Sequence, residues 1–138
     1  MPFSDTEIRL AAAEFWTARA GGTQSAQHDK AFLRLIGDEL TELGWPSHVA
    51  THAGDREALV AGHFRVAKSW DIVCRDDDGI PRICVEFKSQ VDSYGNNENN
   101  RYEEALGSGL DVRAKSGAGT ALGFVLVICD EPLSRATT

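Results

Sequence analysis

Two carboxylates and a lysine interrupt two apolar segments between residues 69 and 90, in the stretch SWDIVCRDDDGIPRICVEFKSQ. Asp71 belongs to the first segment, and Glu86 and Lys88 belong to the second. Mg²⁺ prefers oxygen ligands and usually takes one or two protein carboxylates beside waters and phosphate oxygens. A metal ion held in this way polarises a phosphodiester and lowers the pKa of a bound water, which a nearby lysine can orient or help deprotonate. These residue types therefore indicate metal-dependent phosphodiester hydrolysis.

The spacing of these residues predicts that they lie together if both segments are strands. Side chains alternate between the two faces of a strand, so Glu86 and Lys88 share one face and stand roughly 7 Å apart. If the strands pair as a hairpin across the turn DDDGIP, Asp71 lies close to both. Gln90 continues the same face and is a candidate for positioning a phosphate or the lysine. The main-chain carbonyl of Phe87 is a further candidate metal ligand.

A structural explanation of the same residues competes with this one. Exposed faces of hairpins often carry Asp, Glu and Lys pairs that contribute little to stability, and an Asp followed by Glu-x-Lys is a weak motif by itself. However, both segments are apolar on their other face, and the later run ALGFVLVIC is apolar throughout. The pattern predicts a covered sheet with the carboxylates clustered at a sheet edge or a strand end.

Two amphipathic helices are predicted before this hairpin. Ser4 and Glu7 have the form of a capping box that begins a helix from about 5 to 19. A second helix from about 29 to 43 ends at Gly44, a residue favoured for a left-handed stop. Their predicted apolar faces consist of Ile8, Ala11, Ala12, Phe15 and Trp16 in the first helix and of Phe32, Leu35, Ile36, Leu40 and Leu43 in the second.

The remaining elements complete a helix, helix, strand, strand, helix, strand order. Residues 47–68 are predicted to be mostly loop, with a possible short strand in ALVAGHF. The other predicted elements are strands at about 70–75 and 82–89, a helix at about 100–114, and a buried strand, FVLVICD. This order predicts the α/β (α+β) class, in one domain spanning 1–138 with amino-terminal helices at 5–43 and a catalytic sheet and helix at 69–130.

Composition sets broad limits on function. The chain of 138 residues is 42% hydrophobic and 25% charged, as is typical of a globular domain, and its longest apolar run is too short to cross a bilayer. We therefore expect a cytoplasmic protein without membrane contact. The net charge of −7 speaks mildly against a general nucleic-acid binder. The cysteines Cys74, Cys84 and Cys129 are predicted to be buried and free, and the histidines, His48 among them, to be surface or packing residues.

Three segments carry a resemblance to a known family. FRVAKSWDIVC, ICVEFKSQ and GNNENNRYEEALGSGLD together resemble the XhoI-type type II restriction endonucleases, a branch of the PD-(D/E)xK nucleases. The third segment is the most specific, and EFWTARAGGTQ near the start resembles the family more loosely. Trp70 stands before Asp71, where the superfamily name has Pro. Members of this family run well past this length, so we expect that the chain lacks a carboxy-terminal portion of the family.

The resemblance implies a fold, a reaction and partners. The fold would be a PD-(D/E)xK restriction-endonuclease-like core, with a mixed sheet flanked by helices. The reaction would be Mg²⁺-dependent cleavage of double-stranded DNA at the palindrome CTCGAG by a homodimer, with a DNA methyltransferase protecting host DNA. By matching positions, Asp71 and Glu86 would be the metal-binding carboxylates and Lys88 the catalytic lysine.

The third segment suggests DNA-contacting residues beside a helix. We expect Asn100 and Glu103 to cap a helix that packs on the sheet through Tyr102, Ala105, Leu106 and Leu110. Asn suits adenine edges and Arg suits guanine or phosphate, and Glu104 is a candidate for reaching the metal through a water. The candidate DNA-binding residues are Asn96, Asn97, Asn99, Asn100 and Arg101.

Two other functions remain open at this point. One is a catalytically inactive remnant that binds DNA or dimerises; it predicts salt-dependent DNA binding without strand scission. The other is a repair nuclease of the PD-(D/E)xK superfamily, which would cut without preference for a palindrome.

Overall fold

The computed structural model describes residues 3–20, 29–90, 94–117 and 119–128, and of residues 19–20, 90 and 94–99 it describes the backbone alone. Three α-helices and six strands are present in these ranges. The helices are α1 (Asp5–Ala20), α2 (Lys30–Glu42) and α3 (Tyr94–Ser116), and the strands are β1 (Ser47–Val49), β2 (Leu59–Val60), β3 (Lys68–Ser69), β4 (Ile72–Arg75), β5 (Pro81–Gln90) and β6 (Ala121–Ile128).

The two amino-terminal helices begin and end as predicted. The Ser4 hydroxyl accepts the Glu7 N–H at 3.2 Å, and the Glu7 carboxylate accepts the Ser4 N–H at 2.7 Å, so the capping box of α1 is confirmed. After α2, Gly44 adopts a φ of +96°, the left-handed conformation that the sequence predicts for its end.

The main sheet is mixed and has the strand order β1-β4-β5-β6. β1 pairs antiparallel with β4, and β4 pairs antiparallel with β5 across the predicted hairpin turn. β5 and β6 are parallel neighbours, and α3 forms the crossover between them. The predicted α/β class with a mixed sheet flanked by helices is therefore confirmed. β2 and β3 form a separate two-stranded ribbon.

Both faces of the central strands β4 and β5 are covered by apolar side chains. The prediction that the last strand is buried is wrong, because Phe124, Leu126 and Ile128 of β6 are exposed. The alternation predicted for β5 is confirmed, because Val85 and Phe87 face the first cluster and Cys84 faces the second. The first cluster lies under α1 and α2 and consists of Phe15, Leu33, Ile72, Val85 and Phe87. The second lies under α3 and the ribbon and consists of Val60, Trp70, Val73, Cys84 and Val112.

One prediction about local structure is confirmed and another is wrong. The segment 47–68 is mostly loop around β1, a short 3-10 helix (Arg56–Ala58), β2 and the first residue of β3, and β2 is the short strand predicted in ALVAGHF. The helix predicted from residue 100 begins at Tyr94, so Asn100 lies within α3 and is not its N-cap. The polar run of asparagines has no apolar periodicity, so its residue pattern does not predict a helix.

The buried face of α3 also differs from the prediction. Tyr102, Leu106 and Leu110 are exposed, whereas Ser108 and Val112 are buried against the sheet. On the buried face of α3, Gly109 approaches β6 closely, because a Cβ atom there would lie 3.2 Å from Leu122 Cδ1.

The predicted state of the cysteines is confirmed for those within the described ranges. Cys74 and Cys84 are buried and free, and burial raises the pKa of the Cys84 thiol to about 11. Cys129 lies outside the described residues. Within the described ranges, no helix is long and apolar enough to cross a membrane.

Candidate active site

The β4–β5 hairpin brings Asp71 next to Glu86. Ile72 pairs with Val85, so Asp71, one residue earlier, lies beside Glu86, one residue later. The Asp71 Oδ2 atom accepts the Phe87 N–H at 2.7 Å, which fixes its carboxylate against β5. Phe87 therefore contacts this carboxylate through its N–H, and its carbonyl stays an untested candidate ligand.

The electrostatic environment of Asp71 shows that these charged groups act on one another. Burial raises the pKa of the Asp71 carboxyl, and the nearby negative charges of Glu86 and Asp29 raise it further. The Phe87 N–H and the positive charge of Lys88 oppose this increase. Burial and the neighbouring negative charge both disfavour the ionised form of Asp71. A bound cation would offset both effects, so this arrangement favours cation binding.

Glu86 is the most buried member of the site, at 8% exposed, and it contacts two lysines. Its Oε1 atom lies 3.3 Å from Lys88 Nζ, and its Oε2 atom lies 2.9 Å from Lys68 Nζ. The spacing of residues along the chain does not predict the contact of Lys68 with Glu86, because this contact depends on the pairing of β3 with β2. It also lies over the Trp70 ring, at 5.0 Å from the ring centroid.

A cavity of about 220 Å³ opens over Glu86, between β5 and α3. Four cationic side chains line it, which gives this part of an acidic protein a local excess of positive charge. Such a cavity suits an anionic ligand such as a phosphate group. Its charged lining residues are Arg65, Lys68, Glu86, Lys88, Arg101 and Glu104.

The structure brings only part of the predicted supporting set to this cavity. Arg101 and Glu104 line it and contact each other at 3.2 Å. Asn100 is an exposed residue of α3. The side chains of Gln90, Asn96, Asn97 and Asn99 lie outside the described residues, which include only their backbone.

The donor set of the site fits a hard divalent cation. Asp71 and Glu86 offer carboxylate oxygens from neighbouring strands, and one or two carboxylates completed by waters are the usual protein contribution to a Mg²⁺ site. Both Glu86 oxygens are occupied by lysine contacts. A cation binding there would therefore take the place of at least one ammonium group.

A second cluster with metal-ligand atoms is found around His48. His48 Nε2 lies 2.7 Å from Asp55, and His48 Nδ1 lies 3.0 Å from Glu57. The three ligand atoms lie within 4.8 Å of one another, so the interpretation of His48 as a surface or packing residue missed this contact. Both ring nitrogens already contact carboxylates, and Asp55 also accepts the Thr51 N–H at 3.0 Å. We interpret this cluster of His48, Asp55 and Glu57 as a structural contact that holds the segment after β1 in place, and we call it the His48 clasp.

The clasp makes a pH-dependent contribution to stability. Hydrogen bonds from the Thr51 N–H and from His48 lower the pKa of Asp55 well below its usual range. A lowered folded-state pKa stabilises the protein above the unfolded pKa of about 3.9 and loses this effect as the pH falls. Asp55→Asn is therefore expected to lower the melting temperature at pH 7, and by less at pH 3. An equal loss at both pH values, measured by circular dichroism, would contradict this account.

Comparisons with known proteins agree with the family that the sequence resembles. Residues 11–137 match the family model described as restriction endonuclease XhoI. The chain is 32% identical over 124 residues to the type II restriction enzyme XhoI of Xanthomonas vasicola, with 78% of this chain and 50% of that protein covered. It is 30% identical over 130 residues to the type II restriction enzyme BstVI of Geobacillus stearothermophilus, with 86% and 57% covered.

The chain is also similar to a third type II restriction enzyme. The chain is 37% identical over 82 residues to the type II restriction enzyme AbrI of Azospirillum brasilense, with 54% of this chain and 36% of that protein covered. No solved structure matches significantly. The chain spans about half the length of XhoI and BstVI.

A mixed sheet flanked by helices, with this sequence match, defines a restriction-endonuclease-like protein. The chain belongs to the XhoI restriction endonuclease family.

Proposed function

We propose that this chain carries the active site of a Mg²⁺-dependent type II restriction endonuclease that hydrolyses double-stranded DNA, with CTCGAG as its site. The observation that carries the proposal is the juxtaposition of Asp71, Glu86 and Lys88 at the β4–β5 hairpin of a chain in this family. The palindrome and the homodimer that would match its two-fold axis rest on the family resemblance.

In this proposal Asp71 and Glu86 hold Mg²⁺ between β4 and β5. The metal would polarise the scissile phosphodiester and lower the pKa of a bound water. The Phe87 N–H keeps the Asp71 carboxylate in place at 2.7 Å. This hydrogen bond limits the rearrangement that the site needs on binding a cation.

The proposed role of Lys88 is to orient the attacking water and help remove its proton. Its ammonium group contacts Glu86 Oε1, and its side chain is 39% exposed, so it reaches both a ligand of the metal and the open cavity. Arg101 and Arg65 line the same cavity and would bind phosphate oxygens. A carboxylate pair with adjoining cations can thus hold a phosphodiester on one side and a water on the other.

Cleavage of two matched duplexes tests this function. One labelled 30-base-pair duplex would contain CTCGAG and the other the permuted palindrome CTGCAG, each with Mg²⁺ and with EDTA. We expect Mg²⁺-dependent cleavage of the first duplex alone. Equal cleavage of both would favour a repair nuclease of the same superfamily.

A non-enzymatic DNA-binding or dimerising protein is the second candidate. It is favoured by the lysine contacts on both Glu86 oxygens, because Lys68 and Lys88 occupy the positions that a metal ion would need. This candidate predicts that both duplexes stay intact with Mg²⁺ while a gel-shift experiment still shows salt-dependent binding. The nuclease would be accompanied by a DNA methyltransferase that recognises the same site and protects the host DNA. The non-enzymatic candidate would not need such a methyltransferase.

A further inference from the structure

The loop that joins β2 and β3 is fixed to α3 by one buried carboxylate. Asp111 is 5% exposed, and its Oδ1 atom accepts the Phe64 N–H at 2.6 Å and the Arg65 N–H at 3.4 Å. The Asp111 carbonyl accepts the His63 N–H at 3.1 Å. Three successive backbone donors of the loop therefore bind a single residue of the helix that lines the cavity.

Gly62 lets the loop approach this carboxylate closely. A Cβ atom at position 62 would lie 1.9 Å from Asp111 Oδ2, which is far closer than any side chain allows. The Gly62 N–H also donates to the Arg65 carbonyl at 3.2 Å, which closes the loop on itself. The loop 62–66 is thus held in one conformation by its own turn and by α3.

This rigid loop presents apolar side chains to solvent beside the candidate active site. Phe64 is 82% exposed and Val66 is 95% exposed, whereas Arg65 between them lines the cavity over Glu86. The His63 ring contacts the Phe64 ring edge to face, at 4.7 Å between centroids. The Asp111 contacts therefore hold the backbone of the loop while Phe64 and Val66 stay exposed.

We propose that the loop 62–66 is a DNA-contacting element, which places Phe64 and Val66 against the bases of the duplex whose phosphate enters the cavity. This inference rests on the proposed function. Apolar side chains contact thymine methyl groups in the major groove or insert between base steps from the minor groove. A loop fixed before binding loses little conformational freedom when DNA binds.

The charges around the loop favour DNA over a protein partner. Arg65 lies within the loop, and Lys68, Lys88 and Arg101 line the adjoining cavity. A duplex with one phosphate in this cavity would bring its neighbouring bases to the loop. A protein that covered Phe64 with an apolar surface would instead leave these cations facing it.

Fluorescence anisotropy with a labelled CTCGAG duplex tests the proposal. Ca²⁺ would replace Mg²⁺, and a gel would verify that the duplex stays intact. We expect Phe64→Ala to weaken binding about tenfold, because one aromatic contact to a base is lost. Asp111→Ala, which leaves Phe64 in place but releases the loop, is expected to weaken binding in the same direction.

Leu10→Ala provides the matched control, because Leu10 is 62% exposed on α1, across the sheet from the cavity. It is expected to bind the duplex as the wild type does, and melting curves should show that Phe64→Ala and Leu10→Ala are both folded. Wild-type affinity in Phe64→Ala would overturn the proposal while leaving the proposed function intact.

Two further outcomes would also contradict it. Sedimentation without DNA could show that Phe64→Ala changes self-association while leaving DNA affinity unchanged, which would assign the loop to a protein interface. Failure of the wild type to bind any duplex would overturn the proposed function and, with it, this role of the loop.

Discussion

Asp71→Asn is expected to lower Mg²⁺-dependent DNA cleavage on the order of 10³-fold, because it removes one of the two proposed metal-binding carboxylates and its charge. The same substitution is expected to stabilise the metal-free protein at pH 7. Burial raises the pKa of Asp71, so the ionised carboxylate is held less favourably in the folded state than in the unfolded chain. Asparagine keeps an oxygen that can accept the Phe87 N–H and carries no charge.

The stabilising effect of Asp71→Asn is expected to depend on pH. A raised folded-state pKa means that the contribution of Asp71 to stability decreases as the pH rises from about 3.9 through that pKa. The advantage of Asp71→Asn in melting temperature should therefore be present at pH 7 and disappear near pH 3. A variant that is inactive but less stable than the wild type at pH 7 would indicate that Asp71 has mainly a structural role.

The same variant tests metal binding without DNA. A ligand that binds only the folded state raises its stability, by about 2.7 kcal/mol at a free concentration one hundred times its Kd. Mg²⁺ is expected to raise the melting temperature of the wild type and to leave that of Asp71→Asn unchanged. Asp55→Asn, which removes a carboxylate from the His48 clasp, is the matched control and should keep the response to Mg²⁺.

The two lysines on Glu86 are expected to have different roles, although both contact the same carboxylate. Lys88→Met should lower cleavage on the order of 10²-fold or more, because the general acid–base and orienting group is lost. Lys68→Met should mainly lower stability, by roughly 2 kcal/mol, because it leaves a largely buried carboxylate with one cationic partner instead of two. Lys68 is the more buried of the two, at 19% exposed against 39% for Lys88.

Single-turnover cleavage and melting curves on both variants separate these roles. Lys115→Met, at the exposed end of α3, is the control for removing a lysine. Loss of cleavage without loss of stability in Lys68→Met, together with normal cleavage in Lys88→Met, would contradict this account. Lys68 would then be the catalytic lysine in place of Lys88.

The sequence was sufficient to predict the two amino-terminal helices and the β4–β5 hairpin that places Asp71, Glu86 and Lys88. The capping box at Ser4, the stop at Gly44 and the alternation along β5 are local signals, and the structure confirms each. The approach of Asp71 to Glu86 also follows from local information, because a hairpin with a short turn determines which residues face each other. The catalytic roles of these residues remain predictions.

What sequence reasoning missed depends on contacts between distant segments. Lys68 reaches Glu86 only because the two-residue strand β3 pairs with β2, and strands of this length leave no pattern. The loop 62–66 is held in place by Asp111, which is more than forty positions away along the chain. The start of α3 at Tyr94 was missed for a different reason, since a run of polar residues with low helix propensity predicts a loop.

The most direct test of the central claim is incubation of a supercoiled plasmid with one CTCGAG site, using the wild type and Glu86→Gln, each with Mg²⁺ and with EDTA. We predict a single linear product from the wild type with Mg²⁺ and intact plasmid in the other three reactions. Glutamine retains the size of Glu86 but loses its charge, so a folded Glu86→Gln protein that cuts as fast as the wild type would contradict the assignment of the metal site to this hairpin.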